Sequence, residues 1–241
     1  MRLARPPAGR AGILIVLGIL SVTISQSRAS EGKSFSVSLK GSLTTGSQLF
    51  PNPNSSDDSL RAAFFSLKDI WGYGIEVRYR FPETDLAIAL SADYLRTIQI
   101  SSSLPGTRIP VEDGYRVIPV ELTGYFIIPI SGEVLGVYMG GGGGAYFGHR
   151  IRRIGNTEAP SIDHGVGFGI HVLSGVSYRF NDIISLNAEM KFRDLQFNSV
   201  NQFSVTQIQY GQMLVPPPTT KPFESLVHTD GIIFQLGVVI E

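Results

Sequence analysis

The chain has 241 residues, with 20 basic and 20 acidic side chains, 27 glycines and no cysteine. The missing cysteines exclude a disulfide scaffold, cysteine-bearing metal sites and thiol catalysis. The lack of a basic surplus excludes a surface built to hold nucleic acid, and the abundance of Gly, Tyr, Phe and β-branched residues points to one all-β domain.

The chain opens with Arg2, Arg5 and Arg10, then the apolar run GILIVLGIL over 12–20, then Ser27-Arg28-Ala29 in a small-x-small arrangement. This predicts a cleaved signal peptide over 1–29 and a mature domain over 30–241. Removal of four arginines leaves 16 basic against 20 acidic groups. The apolar run is too short for a membrane-crossing helix, and every later one is interrupted by charge or glycine.

From there strict alternation dominates. Around 35–45, Phe35, Val37, Leu39 and Leu43 oppose Ser36, Ser38, Lys40, Ser42 and Thr44. Over 71–81, Trp71, Tyr73, Ile75, Val77, Tyr79 and Phe81 share one face while Gly72, Gly74, Glu76, Arg78 and Arg80 share the other. The pattern recurs over 86–99, 115–128, 134–150, 165–180, 184–193 and 232–240, giving eight strands. One face of each is apolar and aromatic, and the other carries glycines and charges of both signs. A soluble sandwich would show Thr, Lys or Glu where these glycines stand, so the pattern predicts the inverse: an eight-stranded antiparallel transmembrane β-barrel, apolar outside and polar inside.

The connections alternate in length. Pro82–Asp85, Pro129–Glu133 and Asn181–Asp182 are short, whereas 46–69, 101–113, 154–164 and 198–230 are long. Short periplasmic turns and longer extracellular loops fit an integral outer-membrane barrel. Within the long connections, 60–71 (LRAAFFSLKDIW) reads as a short amphipathic helical turn at the membrane surface, and 215–223 (VPPPTTKPF) as stiff polyproline-like chain.

The fifth strand holds five consecutive glycines, Gly140 to Gly144. Gly140, Gly142 and Gly144 fall on the inward face with Tyr138 and Tyr146. A narrow barrel gains room for its neighbours' side chains, and freedom to bend, where one strand has almost no inward side chains. A phosphate loop would need Lys-Ser/Thr after the last glycine, but Gly148 is followed by His149 and Arg150.

Residues 115–148, with the Pro-x-Glu entry Pro119–Glu121, a short turn and the glycine-rich strand flanked by tyrosines, resemble the central hairpin of the small outer-membrane β-barrel superfamily: OmpA-like, OmpX-like, OmpW-like and opacity-type proteins. The resemblance implies a Gram-negative-type outer membrane, with lipid, lipopolysaccharide and the barrel-assembly machinery as partners and an extracellular ligand at the loops. Its OmpA-like and OmpX-like members imply a non-enzymatic structural or surface-contact role, and its OmpW-like members a narrow channel for small hydrophobic molecules. The chain departs from the family in ending Val238-Val239-Ile240-Glu241 rather than on an aromatic residue. The assembly signal then falls to the Phe234, Leu236, Val238 and Ile240 face.

The inward charges form the first candidate site: Lys40, Glu76, Arg78, Arg80, Asp93, Glu121, Arg179, Glu189, Lys191 and Arg193. Their interleaved signs predict a lumen-filling ion-pair network rather than a wide aqueous channel, because confined charge must be paired. Leu95 and Leu173 are the leucines noted inside. The four histidines, His149, His164, His171 and His228, lack metal-ligand spacing. The resemblance also implies a minor alternative, a membrane-embedded lipid hydrolase like the lipid A deacylase of this architecture, which uses a His-Ser pair on one barrel face; His171 and Ser174, three apart on a strand, point to opposite faces. No cofactor and no enzymatic activity are expected.

Overall fold

The computed structural model describes residues 34–129, 134–229 and 231–241. The expected signal peptide lies outside these residues, as does most of the turn expected at Pro129–Glu133. The long strands are β1 (Phe35–Phe50), β2 (Phe65–Arg80), β3 (Leu86–Ser103), β4 (Pro110–Ile127) and β5 (Leu135–Ile154). Two short strands follow, β6 (Thr157–Ala159) and β7 (Ser161–His164), then β8 (Val166–Arg179) and β9 (Ile184–Asn201). A small hairpin, β10 (Ile208–Tyr210) and β11 (Met213–Val215), precedes β12 (Phe223–Thr229) and β13 (Ile232–Ile240).

All ladders are antiparallel, and β1 closes the ring by pairing with β2 on one side and β13 on the other. The wall is therefore an eight-stave barrel whose last stave is made of β12 and β13 in succession. Cα partners can be followed once around: Thr44, Ile233, Lys191, Leu173, Gly140, Tyr125, Ala87, Arg80, and back to Ser34, whose carbonyl accepts the Arg80 N–H at 2.7 Å. The walk returns to β1 ten residues from its start. For eight strands that stagger gives a tilt of about 40° and a narrow bore.

The eight alternating faces point as the sequence dictates. Trp71 is 69% exposed, Phe168 77% and Leu236 70%, and all stand on the outside with their strand-mates. In water so much exposed aromatic and aliphatic surface would drive aggregation, whereas in a bilayer it meets lipid. From Phe81 to Trp71 is ten residues, which at about 3.3 Å each and about 40° of tilt spans about 25 Å along the barrel axis, the height of a hydrocarbon band. Aromatic rings mark both edges: Phe35, Tyr79 and Phe81 pack together at one end, and Tyr73 stacks on Tyr94 at 5.4 Å near the other.

Above this band the strands continue and their pattern inverts. Leu95, Tyr115, Val117, Leu195 and Phe197 point inward and are buried, while Arg96, Arg116 and Asp194 point outward. On β1 and β2 the exchange is accompanied by a kink. Thr44 and Ser47 are both inward, as are Leu67 and Ile70, and between the latter Asp69 takes φ 52, a left-handed conformation that Asp tolerates. The upper third is thus a soluble-type crown on a membrane-type barrel.

This inversion corrects the expected loop bounds. β1 runs to Phe50 and β2 starts at Phe65, so 46–69 narrows to 14 residues between them; 101–113 narrows to six residues between β3 and β4. Within 60–71 only α1 (Asp58–Ala62) is helical, capped by the Asp57 carboxylate accepting from the Ser59 N–H at 2.9 Å. Phe65 onward pairs as strand because β1 supplies partners along it, with a break only at Asp69. Likewise 198–230 is not one extended loop: β12 completes the wall between β9 and β1, and 208–215 folds back as a hairpin. At the other end the turns are tight. Asn181 Oδ1 accepts from the Ile183 and Ile184 N–H groups at 2.9 and 2.8 Å, an Asx turn that needs few residues.

Candidate functional site

The barrel interior holds charges in two layers. In the layer nearer the short turns, Lys40 on β1 donates to Glu76 on β2 at 2.7 Å and to Glu189 on β9 at 2.8 Å. Arg78 Nη2 reaches Glu76 at 2.8 Å and Glu189 at 3.4 Å, and its guanidinium lies 3.9 Å from the centre of the Tyr125 ring. The Tyr125 and Tyr138 hydroxyls donate to Glu76 and Glu189, each at 2.8 Å. Two cations face two anions, and both carboxylates are saturated with donors.

The second layer lies further up. Glu121 on β4 accepts from Arg193 Nε at 2.6 Å, Lys191 Nζ at 3.0 Å and the Tyr146 hydroxyl at 3.2 Å. Arg193 also binds Asp93 on β3 at 2.7 Å. Again two cations meet two anions. A lining that selected ions by charge would carry one sign, whereas each of these layers is internally neutral.

Arg80 and Arg179 share the inward parity but are exposed at the turn ends of β2 and β8 and stand outside both layers. The other eight charges noted from the sequence are brought together. Arg78, with 15% of its side chain exposed, faces the turn-end opening; the remaining seven are at most 6% exposed. The Glu76, Glu121 and Glu189 side chains are at most 1% exposed.

The glycines of β5 let the wall curve this tightly. A Cβ at Gly142 would lie 1.9 Å from the Leu122 carbonyl oxygen, and one at Gly140 2.7 Å from the Gly124 oxygen. At Gly144 a Cβ would also meet the Glu121 Cγ at 2.8 Å. Room for a neighbour's side chain, the sequence-based expectation, therefore applies at Gly144. At Gly142 the space is taken by the backbone of β4 itself.

Over the charged layers sits an apolar plug that the sequence reading, with its two leucines, underestimated. Leu49, Leu67, Ile70, Leu95, Tyr115, Val117, Tyr146, Leu195, Phe197 and Val227 form one buried cluster. Leu173 belongs elsewhere, with Tyr125 and Tyr138 in the lower interior. Above the plug, buried Asp113 holds Arg150 at 2.6 Å and Arg152 at 3.0 Å, and the Ser101 hydroxyl donates to it at 2.7 Å. Burial pushes the Asp113 carboxyl up, but the two guanidiniums outweigh it and hold the group below the usual carboxylate range. A small apolar core caps the crown, built on Ile109, Val111, Ile154, Phe203 and Ile208. Within the plug Tyr115-Val117 and Leu195-Phe197 follow period two, and that parity was the available signal.

Hydrolytic geometry is not formed around His171. It is buried, with Nε2 2.9 Å from the Thr123 hydroxyl, and Ser174 points outward from the same strand. His149 lies within β5, and His228 approaches Asp194 at 3.2 Å in the crown. No group of three or more metal-ligating side chains occurs among the described residues.

No protein-family model matches the chain, and no curated protein matches it. Solved structures do. The outer membrane protein OprG from Pseudomonas aeruginosa shares 10% identity over 87% of this chain and 96% of that chain, with a TM-score of 0.54. The attachment invasion locus protein Ail of Yersinia pestis shares 13% identity over 87% and 98%, with a TM-score of 0.45. At this level the likeness is one of fold. The chain has the fold of the small eight-stranded outer-membrane β-barrels.

Proposed function

We propose that this protein is a closed, non-enzymatic outer-membrane barrel, exported by residues 1–29, that acts at the cell surface through its ordered crown. The observation that carries this reading is the filled interior: two neutral layers of buried ion pairs, surmounted by an apolar plug, block the bore at successive heights. An extracellular ligand would then meet the crown, whose own core fixes the shape of the surface it presents. Lipid and the barrel-assembly machinery are its partners in this reading. The test is single-channel recording of the folded protein in a planar bilayer. We expect no reproducible conductance steps; steady openings would overturn the closed-barrel reading.

A second reading, a narrow path for small hydrophobic molecules, is favoured by the apolar plug together with one feature of the wall. The β2–β3 ladder ends at Gly72 and Leu95 although both strands continue, and above it the Gln99 amide donating to the Lys68 carbonyl bridges them. Such a seam beside Ile70 and Leu95 would let an apolar solute leave sideways. Uptake of an apolar fluorescent solute by proteoliposomes, faster than in protein-free vesicles, would support this path; equal rates would exclude it.

A further inference from the structure

At the upper edge of the apolar band, Arg96 on β3 and Arg116 on β4 are Cα partners across one ladder. Both point outward and both are exposed. Like charges placed directly opposite on a sheet face repel, with Cβ atoms about 5 Å apart. Among the described residues neither makes an ion pair. The neighbouring arginines behave differently: Arg150 and Arg152 are bound to Asp113, and Arg153 to Glu112 and Glu158. An unrelieved pair at this position calls for an anion from outside the chain.

The level of the pair identifies that anion. Two residues below on each strand, Tyr94 and Ile118 still face outward as part of the band, and Trp71 and Tyr73 stand beside them on β2. Aromatic residues of this kind mark the boundary between hydrocarbon and headgroup. Two planar guanidiniums at that height match the oxygens of a phosphate, each able to donate two parallel N–H groups. We propose that Arg96 and Arg116 form a clamp for the phosphorylated headgroup of an outer-leaflet lipid, whose acyl chains lie along the outer faces of β3 and β4. This site is independent of the crown's ligand and of whether the bore conducts.

Trp71, the only tryptophan in the chain, stands one residue beyond the Gly72–Leu95 partners on β2, as Arg96 does on β3, and serves as the reporter. The protein, folded in zwitterionic micelles, is titrated with bisphosphorylated lipid A, with dephosphorylated lipid A of the same acyl chains, and with inorganic phosphate, following Trp71 emission. The clamp predicts binding about ten-fold tighter or more for the phosphorylated lipid than for the dephosphorylated one. It also predicts loss of that preference in R96Q/R116Q, and its retention in R108Q, which alters an exposed crown arginine. Equal binding of the two lipids, or a preference that survives in R96Q/R116Q, would overturn it. Inorganic phosphate that saturates the site at micromolar concentration would overturn the assignment to a lipid. Heat-modifiable migration checks that each variant is folded; should the double variant fail to fold, R116Q alone must weaken the preference, and an unchanged preference there refutes the clamp.

Discussion

At the residue scale, Glu121 is the side chain with most at stake, because two cations and a tyrosine depend on its fully buried carboxylate. Glu121→Gln leaves Lys191 without its anionic partner and Arg193 with Asp93 alone. Breaking a buried pair by removing one partner costs about 3–5 kcal/mol. Urea titration of the folded fraction should show that loss, while Arg80→Gln, at an exposed strand end, should stay within about 0.5 kcal/mol of the parent. Gly142→Val should abolish folding outright, since its Cβ would have to share the place of the Leu122 carbonyl oxygen. A heat-modifiable band at normal intensity would contradict this. Asp113 gives a pH prediction. Its folded-state pKa is below the ordinary 3.8, so its contribution is complete above that value and disappears as pH falls below it. Hydrogen exchange of the crown amides should be unchanged by this group between pH 7 and 5 and should accelerate only in stronger acid. Asp113→Asn should already show fast exchange at neutral pH.

At the element scale, what could be read from the sequence followed the height on the strand. Within the band each strand has one apolar face and one face of glycine and charge, so facing, strand number and the inward charges of β1, β2, β3, β4 and β9 were legible. Arg80 and Arg179 obey the same parity, but strand-end exposure depends on where the bilayer stops, which alternation alone does not mark. Above the band, Tyr115, Val117, Leu195 and Phe197 alternate just as regularly on the opposite face. That exchange of polarity reads as the end of a strand unless its parity is followed through, which is why β9, expected to stop at 193, runs on to Asn201, whereas β3 and β4 were short only by their outermost four and five residues. The kink at Asp69 hides β2 further, since a break of parity and a polar residue together resemble a loop. The partnering of Asp113 with Arg150 was not legible, because it depends on the register between β4 and β5. The crown should respond as a soluble core does. Phe197→Ala removes an aromatic ring from the plug and should cost about 3–5 kcal/mol, appearing as protease cleavage in the crown while the band stays intact. Cleavage unchanged from the parent would mean the plug is not what holds the crown.

At the scale of the whole molecule, two solvents and one chain explain the architecture. A stagger of ten on eight strands makes the barrel too narrow to leave its interior empty. The interior therefore carries polar side chains, its buried charges paired with one another, where lipid surrounds the wall, and apolar groups where water does. Closure of the bore follows from the same packing that makes the barrel stable. Everything rests on the exchange of faces at one height, and a cysteine-free chain allows it to be tested directly. Single cysteines along β9, from Leu186 through Gln196, would be labelled with an environment-sensitive fluorophore and challenged with a lipid-confined and a water-soluble quencher. The account predicts lipid quenching at 186, 188, 190 and 192, aqueous quenching at 194 and 196, and protection from both at 189, 191, 193 and 195. Lipid quenching that continues at 194 and 196, or aqueous quenching at 189 and 191, would contradict it.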